Sequence, residues 1–345
     1  MRILLASNPT VMLNKGGPSY VIKEMKKELI NLGVNCDYFD YWDDHLKLGK
    51  DDVVHIFIAS VGTYSLAVNL YQYGAKYVVT PIFYSNHSAE IIKTYKRVES
   101  LARPILKRSY SDYHFTKSVC DRAEYVFPNT KKEAAIIANG LGVNPAKISV
   151  IPNGVEKRFA NADESLWVKK YGYKDFVLYV GHLGAKRKNG LNIIKSLAKV
   201  DNKAVIIANV LDTEEGRACR ELIEKSSNIT LIEWMKHDDP LLESAYAACK
   251  TFILPTHYET PGIAAMEAAL AGANVVITPY GGTEEYFKDM ALYANPFSVE
   301  DIIKKTEQSL NQAANDKLKV HISENYLWKN IAESTLKFYE KVVKK

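Results

Sequence analysis

The sequence predicts an α/β protein of two Rossmann-like domains, each a parallel sheet with helices on both faces. Three observations carry this. Short runs rich in Val, Ile and Phe alternate with amphipathic helical patterns almost from end to end, as in strands buried on both sides and joined by crossover helices. The rhythm stops once, at Pro152-Asn153-Gly154-Val155 and the polar stretch 156–164, and then restarts. A chain of 345 residues with 47% hydrophobic content is also long enough for two cores.

Residues 2–7 read as the first strand. A helix over 19–32 follows, with Val21, Met25 and Leu29 on one face, and 53–58, 77–80 and 125–127 continue the strands. The apolar run 148–151 precedes the break. Beyond it, strands are expected at 176–181, 204–208, 229–232, 252–254 and 275–278. The domains are therefore placed at 1–155 and 160–322. The segment 324–345 is helical in pattern, and its Trp328, Ile331, Leu336 and Phe338 need a surface to cover; it is assigned to the first domain. Ligands of such units bind outside the carboxyl ends of the strands, so two units facing each other would enclose a deep cleft.

Bulk properties exclude several classes. No apolar run approaches the roughly 20 residues that cross a bilayer, and the start turns polar too soon for a signal peptide. Cys36, Cys120, Cys219 and Cys249 lack paired spacing, which fits reduced thiols in a cytoplasmic protein and not a disulfide framework or zinc site. The net charge of +5 is mild and no recognition motif accompanies it, so nucleic acid is not an expected partner. One stretch, 91–132, is basic: Lys93, Lys96, Arg97, Arg103, Lys107, Arg108, Lys117, Arg122, Lys131 and Lys132 interleave with Ile92, Tyr95, Leu101, Ile105 and Leu106. Two readings stay open for it. One, which is preferred, is a solvated helix covering the domain's own core; the other is a peripheral contact with an anionic membrane.

The most informative segment is His257-Tyr258-Glu259-Thr260-Pro261-Gly262-Ile263-Ala264-Ala265-Met266-Glu267. It follows a strand and opens an Ala-rich helix, with Pro261 expected at the first helical position and Gly262 beside it. Exposed N–H groups and the positive end of the helix dipole suit a diphosphate. Glu259 and Glu267, acceptors when ionised, can each take paired hydroxyl donors from a sugar or ribose.

Two glutamates with seven residues between them in this strand–loop–helix setting resemble the nucleotide-sugar motif of family 4 retaining glycosyltransferases. The likeness continues through Ala271-Gly272 and Tyr280-Gly281-Gly282-Thr283-Glu284-Glu285. Upstream it takes in Leu231-Ile232-Glu233-Trp234 and Val150-Ile151-Pro152-Asn153-Gly154, and it covers most of 148–340. The resemblance implies the GT-B fold and a retaining, metal-independent transfer of sugar from a UDP- or GDP-linked donor to a glycan or lipid-linked acceptor. By it, Glu267 binds the ribose hydroxyls, Glu259 contacts the transferred sugar, and the amides of Gly262 and Ile263 hold the diphosphate. Trp234 is counted with the donor-binding residues on the same ground.

Without a metal, Arg and Lys must neutralise the leaving diphosphate. The family has an Arg directly after the glycine of Val180-Gly181-His182; this chain has His182 there, so the working cation is open, with Lys188 preferred and Arg187 second. In Asn14-Lys15-Gly16-Gly17-Pro18-Ser19, Gly16 and Gly17 permit close approach of a phosphate, or simply form a turn capped by Ser19. The family's loop here closes over the donor phosphates. His87, after the strand ending near Pro81, is a candidate contact for donor or acceptor, with a structural role as the alternative. Adjacent pairs such as Asp43-Asp44 lack Asp-x-Asp spacing, so no metal is expected, and no other cofactor. The competing functions are a non-catalytic partner subunit, to which His182 is the one pointer, and a nucleotide-sugar epimerase, for which the acid and His groups are not assembled. A nicotinamide enzyme is disfavoured by the missing fingerprint.

Overall fold

The computed structural model describes residues 1–13, 16–85, 87–102, 110–233 and 235–344. The chain divides into two compact units, Met1–Gly154 with Trp328–Lys345, and Val155–Leu327.

The first unit contains β1 (Arg2–Ala6), α1 (Gly17–Asn31), β2 (Asn35–Tyr38), β3 (Asp52–Phe57), α2 (Val61–Tyr73), β4 (Tyr77–Thr80), α3 (Ala89–Ala102), α4 (Asp112–Arg122) and α5 (Lys131–Ala135), followed by a π-helical turn, Ile136–Leu141. Its parallel sheet has the order β2-β1-β3-β4, with Leu4 opposite Val54 and Ile56 opposite Val79. α1 buries Val21, Ile22, Met25 and Leu29, the face its spacing predicts. β2 carries no sequence signal because only Cys36 in it is buried. The expected strand at 125–127 is reduced to a single bridge, Val79 to Val126, and the apolar run 148–151 to another, Val126 to Ile148. Pro128 and Pro152 follow these runs and have no N–H with which to lengthen the ladder.

The C-terminal helix, Trp328–Lys344, lies on this unit and buries Trp328, Ile331, Ala332, Thr335, Tyr339 and Val342. Leu336 and Phe338 are half-buried, the latter against Tyr125 and Phe127. The helical pattern expected from 324 is interrupted. Val155 N–H donates to Tyr326 O at 2.8 Å and Val155 bridges Leu327, which holds these two residues extended in the second unit. His55 fastens the helix to the sheet: Nδ1 lies 2.6 Å from Tyr339 Oη and Nε2 2.9 Å from Thr80 Oγ1. Burial lowers His55 to about 3, so it is neutral across the physiological range.

The second unit contains α6 (Ser165–Tyr171), β5 (Phe176–Leu183), α7 (Gly190–Leu197), β6 (Ala204–Val210), α8 (Glu214–Glu224), β7 (Ile229–Glu233), α9 (Pro240–Ala248), β8 (Cys249–Leu254), α10 (Ile263–Ala271), β9 (Asn274–Ile277), α11 (Thr283–Phe287), β10 (Leu292–Tyr293), α12 (Val299–Leu310) and α13 (Asp316–Asn325). Its parallel sheet runs β10-β9-β8-β5-β6-β7. β8 and β9 are buried almost throughout, as strands covered on both faces must be.

The basic stretch departs from its expected pattern. Of the apolar residues read as core-covering, Ile92 is fully buried, whereas Tyr95 and Leu101 are exposed, as are Ile91 and Val98 on the same helix; Arg103, Ile105, Leu106, Lys107 and Arg108 lie outside the described residues. At about 100° per residue, Ile91, Tyr95 and Val98 form a row on one flank of α3, and Lys93, Arg97 and Ser100 occupy the opposite flank. Leu101, one turn on from Arg97, shares that basic flank, and the row of Ile91, Tyr95 and Val98 stands apart from it. The four cysteines are free and buried, and among the described residues no helix is long and apolar enough to cross a membrane.

A Cβ on Gly154 would lie 2.6 Å from Trp328 Cδ2 and 2.9 Å from its Cα. Gly154→Ala is expected to lift the C-terminal helix and cost about 1–3 kcal/mol. Urea denaturation and hydrogen exchange on that helix test this; an unchanged midpoint and unchanged protection would refute the packing argument.

Candidate functional site

The second sheet dictates where a crevice opens. From β5 the chain builds outward through β6 and β7, then returns to the other side of β5 with β8, β9 and β10. The order reverses between the neighbours β5 and β8, and such a switch point leaves room for a ligand at the carboxyl ends of the strands. The loop after β5 carries Arg187 and Lys188; the loop after β8 carries Glu259.

Asn189 fixes the first loop. It adopts φ of 58°, a left-handed conformation that Asn tolerates, and its Nδ2 donates to Pro255 O at 2.8 Å and Pro296 O at 2.7 Å. The turn Lys186–Lys188 ahead of it delivers both cations to Glu259. Lys188 Nζ donates to Glu259 Oε1 at 2.6 Å, Arg187 Nη1 at 3.2 Å, and Thr256 Oγ1 at 3.3 Å. Arg187 also donates to Tyr258 O at 3.0 Å and lies over the Tyr258 ring. Burial would raise the Glu259 carboxyl, but the charges of Lys188 and Arg187 and the hydrogen bonds from Lys188 and Thr256 outweigh it and hold the group below its ordinary value.

Glu259 is fixed through its backbone as well. Its N–H donates to Tyr280 O at 3.1 Å and its O accepts from Gly282 N–H at 2.9 Å. Gly281 between them has φ of 102°, and a Cβ there would stand 1.9 Å from Glu259 O. Only glycine fits, which gives the Tyr280-Gly281-Gly282 run a physical reason.

Gly262 caps α10 with φ of 76° and no side-chain acceptor. Pro261 therefore precedes the helix and is not its first residue, because the left-handed turn at Gly262 delays the helical hydrogen bonds until Ala265 and Met266 reach Gly262 O. Among the described residues the N–H groups of Gly262, Ile263 and Ala264 find no acceptor, which leaves donors at the positive end of the helix.

Glu267, only 2% exposed, anchors a separate network. Its Oε1 accepts from His237 Nε2 at 2.7 Å and its Oε2 from Tyr246 Oη at 2.9 Å. Arg158 fixes His237 by donating to its carbonyl at 2.6 Å, and itself pairs with Glu243 and Glu156. Burial pulls His237 down, but the hydrogen bond and charge of Glu267 prevail, and the ring titrates above its ordinary value. Neither His237 nor Tyr246 was identified from sequence: they are 30 and 21 residues from Glu267, with no local motif to tie them to it.

His182 is placed differently from expectation. β5 extends through Leu183 because β6 is long enough to pair with it, His182 opposite Asn209, so His182 stands in the strand and not in the loop. Its Nδ1 is buried without a partner among the described residues. Burial, then Lys188 and Arg187, lower its pKa, so it brings no charge at neutral pH.

The remaining candidates belong to the first unit. Gly16 caps α1, and Ser19 Oγ both accepts from Gly16 N–H at 3.0 Å and donates to Gly16 O at 2.9 Å. This is the capped turn; a Cβ on Gly17 would meet nothing within 4 Å. Exposed His87 lies with Nδ1 2.8 Å from Tyr113 Oη, which is 3.0 Å from Ser85 Oγ. Trp234, Asn14 and Lys15 lie outside the described residues. Among those described, no three His, Cys, Asp or Glu side chains converge as metal ligands.

Residues 165–326 match the family model for glycosyl transferases group 1. Over 189 residues the chain is 24% identical to D-inositol 3-phosphate glycosyltransferase of Geodermatophilus obscurus, covering 50% of this chain and 42% of that protein. The first curated relatives are matched over 42 to 63% of their own length. Among solved structures, sucrose-phosphate synthase from Thermosynechococcus elongatus superposes with a TM-score of 0.75 at 14% identity, over 99% of both chains. Anabaena HepE, solved with UDP and glucose, gives 0.68 at 15% identity, over 99% of this chain and 100% of that one. The chain has the GT-B fold of these structures, and its match to the group 1 model lies within the second unit, where the motif resemblance was read.

Lys188→Met would leave buried Glu259 with only the more exposed Arg187 as charge partner, and is expected to cost about 1–3 kcal/mol. Because the folded pKa of Glu259 is lowered, its contribution is present above the unfolded carboxylate range near 4.5 and is lost as pH falls below it. Urea midpoints at neutral and acid pH should therefore differ less in the variant than in the wild type; equal differences would show that Glu259 does not depend on Lys188.

Proposed function

We propose that the chain is a retaining, metal-independent glycosyltransferase moving a sugar from a UDP- or GDP-linked donor to a hydroxyl of a glycan or lipid-linked acceptor in the cytoplasm. The observation that carries this reading is the meeting of Lys188, Arg187 and Glu259 at the strand-order reversal. Two positive charges there are held in advance by an internal carboxylate. A donor diphosphate, resting on the free N–H groups of Ile263 and Ala264, competes for the cations, and Glu259 then accepts hydroxyl donors of the sugar. Glu267 keeps lone pairs for the ribose after bonding His237 and Tyr246.

In the proposed step the acceptor oxygen bonds to the anomeric carbon as the bond from that carbon to the phosphate oxygen breaks. The acceptor proton passes to the departing phosphate, giving a glycoside and a nucleoside diphosphate. No side-chain base is required. Lys188 and Arg187 stabilise the charge that grows on the leaving group, and neutral His182 does not. Gly16, Gly17 and His87 are proposed contacts on the family resemblance alone.

Thermal-shift and calorimetric titration with UDP, GDP and ADP, and then with their common sugars, tests the reading. One nucleotide should stabilise the chain selectively, and Glu267→Ala should weaken it by about tenfold or more, the loss of a charged hydrogen bond. The product from the preferred sugar should keep the donor's anomeric configuration, read by NMR. Inversion would refute the front-face step. Absence of binding at millimolar nucleotide would pass the assignment to a non-catalytic GT-B partner subunit, and a donor isomerised without transfer would pass it to an epimerase.

A further inference from the structure

The first unit holds a second concentration of positive charge, in a place the donor chemistry does not use. Gly140 lets α3 lie close on the π-helical turn: a Cβ there would be 3.2 Å from Ala89 Cα and 3.3 Å from Ile92 Cβ. Beside that contact is an open cavity of about 510 Å³, lined by Lys93, Lys96, Arg97 and Ser100 of α3, Lys117 of α4 and residues 138–142.

The turn holds two of the lysines in place. Lys96 Nζ donates to Leu141 O, and Lys117 Nζ donates to Gly142 O at 3.2 Å and to Asp121 at 2.6 Å. Nearby carboxylates do not balance the rest. Asp121 is taken by Lys117, and Glu99 by Ser111, whose N–H and Oγ donate to it at 2.9 and 2.8 Å. Glu90, one turn before Lys93, interacts with it through charge alone, and neither Lys93 nor Arg97 forms an ion pair within 4 Å among the described residues. Burial first, and then the charge of Lys117, bring Lys96 down to about 8 against the opposing charges of Asp121 and Glu99. Pre-positioned cations that repel one another gain most from an anion large enough to touch several at once.

We propose that this cavity binds a phosphate group, as inorganic phosphate or the monoester of a phosphorylated molecule. A dianion with several acceptor oxygens takes the guanidinium fork of Arg97 and the ammonium groups of Lys93, Lys96 and Lys117 together, which a carboxylate does less well. The exposed apolar row of α3 lies on the opposite flank from the cavity-lining Lys93, Arg97 and Ser100. A soluble phosphate is therefore the expected source and a lipid phosphate the other. The site does not rest on the donor reading and survives its failure.

Calorimetry with inorganic phosphate at fixed ionic strength is the test, on the wild type, on the Lys93→Gln/Arg97→Gln double variant and on Lys188→Met. The double variant alters two exposed helix residues, and circular dichroism checks its fold. It should bind phosphate about tenfold or more weakly, while Lys188→Met should bind as the wild type does. A parallel arm sediments the proteins with phosphatidylcholine–phosphatidic acid vesicles. Vesicle binding lost in the double variant, with no binding of inorganic phosphate, assigns the site to a lipid phosphate. Phosphate affinity unchanged in the double variant, loss in Lys188→Met alone, or binding in neither arm overturns the proposal.

Discussion

A buried carboxylate needs compensation, and the second unit is arranged around meeting that need for Glu259. Its charge is tolerated because Lys188 and Arg187 converge on one of its oxygens. They converge because Asn189, in a left-handed conformation, bonds the carbonyls of Pro255 and Pro296. Glu259 in turn stays in place because Gly281 lets the following loop approach its carbonyl. Each of these residue types is dictated by the next contact, so the loops after β5 and β8 form one mechanical and electrostatic unit.

That arrangement has a consequence for ligand binding. Under the proposed function, Lys188 and Arg187, already oriented by the carboxylate, would need little reorganisation when a diphosphate replaced it as their partner. Glu267 is organised differently. It is more deeply buried than a surface helix carboxylate, and its partners His237 and Tyr246 are held by Arg158 and by the packing of α9. One carboxylate is thus held by charges that can be exchanged, the other by hydrogen bonds that orient it.

In the first unit the comparable constraint is apolar. His55, neutral because it is buried, joins β3 to Tyr339 and Thr80, and Gly154 admits the Trp328 ring. A charged His55 in this setting would be uncompensated, so its hydrogen bonds serve the packing of the C-terminal helix and not proton transfer.

The sequence alone determined what depends on local periodicity and local chemistry. Alternating apolar runs and helical patterns announced two parallel α/β units, and the Glu259–Glu267 spacing, with Gly262 and the Gly281-Gly282 turn, pointed to the segment proposed as the ligand site. Such signals are legible because side-chain direction follows the backbone period over a few residues. Edge strand β2, with one buried residue, and the shortened ladder before Pro128 and Pro152 carried too little of that signal. Only the tertiary structure decided which groups meet: Lys188 with Glu259 across 71 residues, His237 with Glu267 across 30, His55 with Tyr339 across 284. It also moved His182 into a strand and separated the lysines of α3 from its apolar row. The physical reason is the same throughout: the partner of a buried polar group is chosen by the packing of distant segments, which no local pattern encodes.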